Sequence, residues 1–294
     1  MNTVPPGQKA VRARAESKTA ARVLRALLVC VLLAGAPVQA QNMVRTLNHV
    51  YAFDQEGEID LTTYKGNVTI ILWDEPKVQI DVQIEAEDFD GVLMLEDIVI
   101  RIAGSEQSLK IETDYRKALR EIYKLFDYST SPRLPPVHYV IQMPRTARLK
   151  IDDYMSVTTI ADFQADLDVY TYKGEVALTN FGGTLTLDTF MGEAQVAFSA
   201  LARDSKIECH EGRLAVALPD GAGFDLNVDL GTAQAVFASE AGFAGLDLPD
   251  GTNGSSTLSG KKKTYRASIN GGGPRLSLAT HSGAVRLSHW GKGD

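Results

Sequence analysis

Apolar and polar residues alternate along most of this chain from about residue 57 onward. Clear series are Ile59, Leu61; Val78, Ile80, Val82, Ile84; Ile98, Ile100, Ile102; and Leu109, Ile111. The alternation resumes with Tyr139, Ile141, Met143; Leu149, Ile151; and Leu167, Val169. A period of two puts one apolar face on each strand, so the pattern predicts an all-β chain.

A tetrapeptide punctuates the strands. It reads Thr63-Tyr64-Lys65-Gly66, Thr171-Tyr172-Lys173-Gly174 and Thr189-Phe190-Met191-Gly192, each followed by alternating apolar residues. Weaker copies are Cys209-His210-Glu211-Gly212 and Thr280-His281-Ser282-Gly283; Asp153-Tyr154-Met155-Ser156 is degenerate. From 156 the steps to 174, 192, 212 and 231 are 18, 18, 20 and 19 residues. A fixed period near 20 predicts a β-solenoid of two-strand repeats, because a single coil cannot bury its apolar face alone. A β-sandwich is the rival architecture, with strands at similar spacing. Gly66, Gly174, Gly192, Gly212, Gly231 and Gly283 are the expected turn residues, placed where a positive φ suits glycine.

Two segments break the pattern. Tyr115, Leu119, Ile122 and Phe126 have helical spacing, which predicts an inserted amphipathic helix over about 114–127 with Thr113 or Asp114 as its N-cap. Residues 250–273, rich in Gly and Ser and holding Lys261-Lys262-Lys263, predict a flexible loop.

The N-terminus changes the charge balance. Lys9, Arg12, Arg14, Lys18, Arg22 and Arg25 precede an apolar run from Ala26 to Ala36, then Pro37-Val38-Gln39-Ala40. This layout predicts a signal peptide over 1–40, cleaved after Ala40, and one solenoid domain over 41–294 in the periplasm or outside the cell. An uncleaved membrane anchor is the alternative. The whole chain carries −7; without the leader 24 basic and 36 acidic residues remain, a net −12. Such a balance argues against a nucleic-acid partner. Cys209 is the one cysteine left, and its parity with Ile207 predicts an inward, inert thiol.

The repeats resemble a known group. Gly57-Glu58-Ile59-Asp60-Leu61 through Gly66, Trp73-Asp74 and Val78 resemble the opening of the bacterial "putative adhesin" β-strand-repeat family. Pro144, Leu149-Lys150-Ile151, Gly174, Gly192 and Gly212 with Leu218-Pro219 are similar to its middle. Gly271-Gly272-Gly273 through Leu276, Leu278, Thr280, Gly283 and Val285 are similar to its close. The resemblance spans about 50–290. It implies an exported or membrane-tethered module of the envelope, similar to head-domain adhesins, with some members in envelope stress signalling. It implies no catalytic residues, and the helix at 114–126 is an addition to the family core.

Chemistry is sparse. The chain has no phosphate loop, no H-E-x-x-H and no G-x-S-x-G, so no cofactor, metal or catalytic residue is assigned. Carboxylates at Asp152-Asp153, Asp166, Asp168 and Asp188 are the acids that a carbohydrate-active β-helix enzyme would use. Outward acids on a net-negative chain also serve simply to protect strand edges. Tyr64, Tyr154, Tyr172, Phe190, His210, Asp229 and His281 share one repeat position and predict a column. Such a column either closes a corner by stacking or offers an aromatic strip, with Tyr154, Tyr172, Phe190, His210 and His281 as ligand contacts, to a glycan or an envelope protein. The expected function is therefore a non-enzymatic, adhesin-like interaction or scaffold module. A carbohydrate-active enzyme and a periplasmic partner of a stress sensor are the alternatives.

Overall fold

The computed structural model describes residues 43–125, 131–240, 242–246, 251–252, 255–259 and 263–290. The expected leader and its cleavage point, and Phe126 of the expected helix, lie outside the described residues.

The alternating segments become strands, and the fold is all-β with two short α-helices. The chain opens with β1 (Met43–Ala52), β2 (Glu58–Thr62), β3 (Lys65–Trp73) and β4 (Lys77–Ala86). Helix α1 (Phe89–Met94), β5 (Val99–Gly104), β6 (Ser108–Asp114) and helix α2 (Arg116–Leu125) follow. Next come β7 (Val137–Pro144), β8 (Arg148–Asp153), β9 (Met155–Ala161), β10 (Leu167–Thr171) and β11 (Glu175–Phe181). Two long strands, β12 (Leu185–Phe198) and β13 (Ser205–Pro219), run through a corner without a break. The rest are β14 (Phe224–Leu230), β15 (Val236–Glu240), β16 (Gly251–Thr252), β17 (Ser255–Ser259), β18 (Lys263–Ile269), β19 (Arg275–Thr280) and β20 (Ala284–Trp290).

Pairing builds two ladders. In the first, β6, β2, β8, β10 and the leading halves of β12 and β13 are joined in parallel, then β19 and β14. In the second, β7, β3, β9, β11 and the trailing halves of β12 and β13 are joined in parallel, then β20 and β15. The register keeps like beside like. Leu61, Ile151, Val169, Leu187, Ile207, Leu278 and Val228 form one continuous buried row. Burying each such side chain contributes about 1.5–3 kcal/mol, which is why a one-residue slip is strongly disfavoured.

Both ends close with antiparallel strands. β1 pairs with β4 and β4 with β7 at one end; β18 covers β14 and β17 covers β15 at the other. This corrects the expected loop over 250–273: Gly251–Thr252, Ser255–Ser259 and Lys263–Ile269 are strands. The physical reason is the open edge that β14 and β15 would otherwise leave.

Chain order and spatial order part company near this end. The C-terminal strands β19 and β20 sit between β13 and the β14–β15 pair. Two repeat assignments fail there. Asp229 pairs with Ala279, two residues short of His281, so it is not in the predicted column. Leu230 pairs with Thr280, so Gly231 stands beside His281 rather than beside a turn glycine, and Ala235 takes the place next to Gly283. The alternation of Phe224 to Leu230 carries no mark of which strand lies next to it.

The helical spacing yields α2, starting two residues later than expected. Tyr115, whose carbonyl accepts from Leu119 N–H at 2.8 Å, holds the N-cap position in place of the expected Thr113 or Asp114, while Asp114, one residue earlier, accepts from the Arg116 backbone N–H at 2.9 Å. Arg116 also donates to both Asp114 oxygens and, with burial opposing, holds that carboxyl down to about 2. Ala118 and Ile122 are buried, and α1 packs on α2. The spacing did not announce α1, which is only six residues long; its N-cap is Asp88, accepting from Gly91 N–H at 2.8 Å.

Candidate functional site

Each tetrapeptide lies between the first ladder and the second, and its residues divide the work. The first faces inward: Thr63, Asp153, Thr171, Thr189, Cys209 and Thr280 are all buried. Thr171 Oγ1 accepts from Gly174 N–H at 2.9 Å, and Thr280 Oγ1 from Gly283 N–H at 2.9 Å. Asp153 plays the same part in the degenerate copy, its Oδ2 accepting from Ser156 N–H at 2.7 Å. Asp153 also accepts from Ser156 Oγ at 2.6 Å and from Thr171 Oγ1 at 2.9 Å, tying one rung to the next. Burial is the largest influence on its carboxyl and raises the pKa, although these donors pull it down. The sequence reading missed this inner role, yet a Thr or Asp three residues before a glycine is a signal for it.

The glycines are required by close approach more than by φ. Among the predicted turn glycines only Gly66 and Gly212 have positive φ, +136° and +147°. This corrects the expected reason for Gly174, Gly192 and Gly283, and at Gly231 it corrects the role itself. A Cβ on Gly192 would lie 2.1 Å from Gly174 O, and one on Gly212 2.0 Å from Gly192 O. A Cβ on Gly283 would lie 2.4 Å from Gly212 O. Each rung therefore leans on the backbone of its neighbour. Gly231 instead makes room for His281, whose Nδ1 would stand 2.8 Å from a Cβ there.

The second residue of each tetrapeptide faces outward, and the predicted column forms. Tyr64 and Tyr154 stack at 4.7 Å and 4°, Tyr154 and Tyr172 at 4.9 Å and 11°, and Tyr172 and Phe190 at 5.2 Å and 4°. His210 follows Phe190 at 5.6 Å but tilts by 34°. Tyr115, just ahead of α2, meets Tyr64 edge-on at 6.0 Å at the other end. The rings spend their faces on one another, so edges and phenolic oxygens are what solvent meets. Tyr154 and Phe190 remain 37% and 40% exposed, too open for core residues. His281 extends the line through its backbone: its N–H and that of Ser282 donate to His210 O at 3.1 and 2.9 Å.

The acids do not converge on one pair. Asp153 is buried in the hydrogen bonds above, and Asp152 is exposed. Asp166 pairs with Arg203 at 3.0 Å, and Asp168 sits between Lys150 and Thr186 in the ladder. Asp188 is different. It lies one rung from Glu208, and its Oδ1 stands 3.4 Å from His210 Nε2; the three side chains bring donor atoms within 4.8 Å of one another. Glu208 escaped the sequence reading, although it falls two residues before the column position in its copy. Cys209 is buried as expected, and burial, helped by the charge of Asp188, pushes its thiol up to about 11. That shift opposes formation of a thiolate.

No family model matches this chain, and no curated protein matches it. Solved structures do. A "putative cell adhesion protein" of Clostridium sporogenes is 10% identical, with a TM-score of 0.44 over 83% of this chain and 100% of that one. A "putative adhesin" of Bacteroides fragilis is 13% identical, with a TM-score of 0.30 over 83% and 97%. A "putative lipid binding protein" of Parabacteroides distasonis is 11% identical, with a TM-score of 0.24 over 85% and 97%. The first two descriptions match the family that the repeats resemble.

Proposed function

We propose that this chain is an exported, non-enzymatic β-solenoid whose outer aromatic column is an interaction strip of the cell envelope. In this reading the two parallel ladders are the faces of stacked coils, and the tetrapeptides carry an aromatic row that stays partly open to solvent. The observation that carries the reading is the stack of Tyr154, Tyr172, Phe190 and His210, in which Tyr154 and Phe190 are exposed and Tyr172 and His210 half-buried. A fold that needed these rings only for packing would bury them, as it buries Phe163, Phe181 and Phe198.

The geometry suits an extended partner. Rungs recur about every 4.8 Å, so the exposed stack runs for about 15 Å along a line. Ring edges and phenolic hydroxyls in a row fit the hydroxyls of a sugar chain or the backbone of an extended peptide. The net charge of −12 for residues 41–294 disfavours anionic polymers. Binding of isolated neutral cell-wall glycan by the chain, measured by sedimentation with the insoluble polymer, tests the reading. The expected result is retention that falls at least several-fold on replacing Tyr172 and Phe190 together by Ala. Retention of the double variant equal to that of the parent sinks it. Removal of residues 1–40 in the envelope fraction, seen as Gln41 at the mature N-terminus by mass spectrometry, tests the export part separately.

A further inference from the structure

We propose that β1 is a dimerisation strand, whose open edge pairs antiparallel with β1 of a second copy of this chain about a two-fold axis at Leu47. The proposal does not rest on the interaction reading.

A comparison of the edges carries it first. Among the described residues the sheets end at β5, β18, β16 and β1, each paired on one side only. An open edge offers a row of N–H and C=O groups to any strand, and proteins guard it by shortness, charge, proline or a bulge. β16 has two residues. β5 has six, with Arg101 exposed and Gly104 at φ +149°. β18 has seven, with Lys263 and Arg266 exposed. β1 has ten and none of these guards. It holds no proline, glycine, lysine or acid, and its register against β4 runs unbroken from Met43 beside Ala86 to Ala52 beside Lys77. Its one formal charge, Arg45, is spent on the carbonyls of Leu95 and Ile98, to which it donates at 3.1 and 2.8 Å.

The side chains say which strand fits. Val44, Thr46, Asn48 and Val50 lie on the exposed face, and the two valines are 45% and 54% exposed. That face reads apolar, polar, polar, apolar in either direction. Antiparallel pairing about Leu47 therefore sets Val44 against the second copy's Val50, and Thr46 against its Asn48. On the half-buried face it sets Leu47 against Leu47, Met43 against Tyr51, and Arg45 against His49. The strand brings no carboxylate to the seam, although residues 41–294 carry a net −12. Asp81, opposite on β4, is already bonded by Asn48. A polarity that reads the same both ways suits a second copy, because a two-fold interface joins one patch to itself. Pairing would carry the antiparallel run of β7, β4 and β1 across the axis into the second copy.

Analytical ultracentrifugation of the whole protein over a concentration series tests the proposal. A monomer–dimer equilibrium is expected. Val44→Lys with Val50→Lys sets like charges opposite each other and should weaken the dimer by roughly 10-fold or more. Val44→Lys with Val50→Glu sets opposite charges there and should dimerise within about 3-fold of the parent. Far-UV circular dichroism should be unchanged in both, and Val157→Lys, on β9, should leave the dimer unaltered. Hydrogen exchange on the parent needs no variant: the amides of 43–52 should exchange more slowly above the dimerisation range than below it. A parent that stays monomeric overturns the proposal, as do β1 amides indifferent to concentration. Parent-like dimerisation of the first double variant also overturns it, and so does equal loss in both double variants.

Discussion

The rungs from 148 to 219 and those from 224 to 290 use the same ladder but differ in how the chain fills it. In the first region each strand pairs with the next copy of the repeat, so Leu149, Leu167 and Leu185 stand side by side. In the second, β19 and β20 arrive from the C-terminus and separate β13 from β14 and β15. The first region has Thr, an aromatic ring and Gly at 171–174 and 189–192; Asp153 and Ser156 preserve the hydrogen bond of Thr171 and Gly174, and Cys209 and His210 replace Thr and the ring in the last copy. The second has His281 where the rings end. A corner repeats faithfully where its neighbour in space is its neighbour in sequence, and it is free to take up other chemistry where that link is cut.

The largest effect should come from the glycine rungs. Gly212→Val adds a branched side chain at φ +147°, with its Cβ 2.0 Å from Gly192 O. Strain and overpacking together should cost roughly 3–5 kcal/mol in denaturant melts. Gly221→Val, also at positive φ but with nothing within 4 Å of a Cβ, isolates the strain alone and should cost roughly 1–2 kcal/mol. Equal losses at the two sites would mean that the rungs do not lean on one another.

The inner column offers a sharper contrast between two threonines one rung apart. Thr171 Oγ1 accepts from Gly174 and donates to Asp153, so Thr171→Val should cost about 1–3 kcal/mol. Thr189 Oγ1 is buried without a hydrogen-bond partner, on a strand that runs straight through its corner. Thr189→Val should therefore be neutral or stabilising by up to about 1 kcal/mol. A loss at Thr189 equal to that at Thr171 would remove the distinction.

Asp153 makes the inner column sensitive to pH. Its folded pKa lies above the ordinary value of 3.8, so the folded state holds the proton more tightly than the unfolded state does. The stability that this group supplies is full below the unfolded value and is lost as pH rises through the folded value. Asp153→Asn keeps the shape, and Ser156 Oγ can turn to accept from the new amide. The melting temperature of the variant relative to the parent should improve as pH rises from about 4 to about 7. A difference that stays flat or reverses would show that the carboxyl is not raised.

The contrast between regions also explains what could be read without coordinates. Alternation located the strands, and the 18-residue steps gave the register of Thr171 beside Asp153 and Thr189, because local period and spatial neighbour coincide there. The aromatic column followed from the same register. Asp229 and Gly231 were misplaced because nothing in Phe224 to Leu230 reveals that β19 lies between them and β13. The strands at 251–252 and 255–259 were hidden because the Ser, Thr and Gly there show no apolar alternation; β18 does alternate, through Tyr265, Ala267 and Ile269, but lies next to the Gly and Ser that read as a loop. The grouping of Asp188, Glu208 and His210 stayed hidden for a related reason: they share no sequence motif and meet only across rungs.

In the proposed function the inner column holds the fold and the outer one meets the partner. The most direct measurement is the Tyr172→Ala, Phe190→Ala double variant, melted and assayed for glycan retention on the same preparation. Because neighbouring rings contribute about 0.5–1.5 kcal/mol per pair beyond area burial, only a modest fall in melting temperature is expected, with most retention lost. A variant that no longer folds, or one that folds and binds as the parent does, would contradict the account.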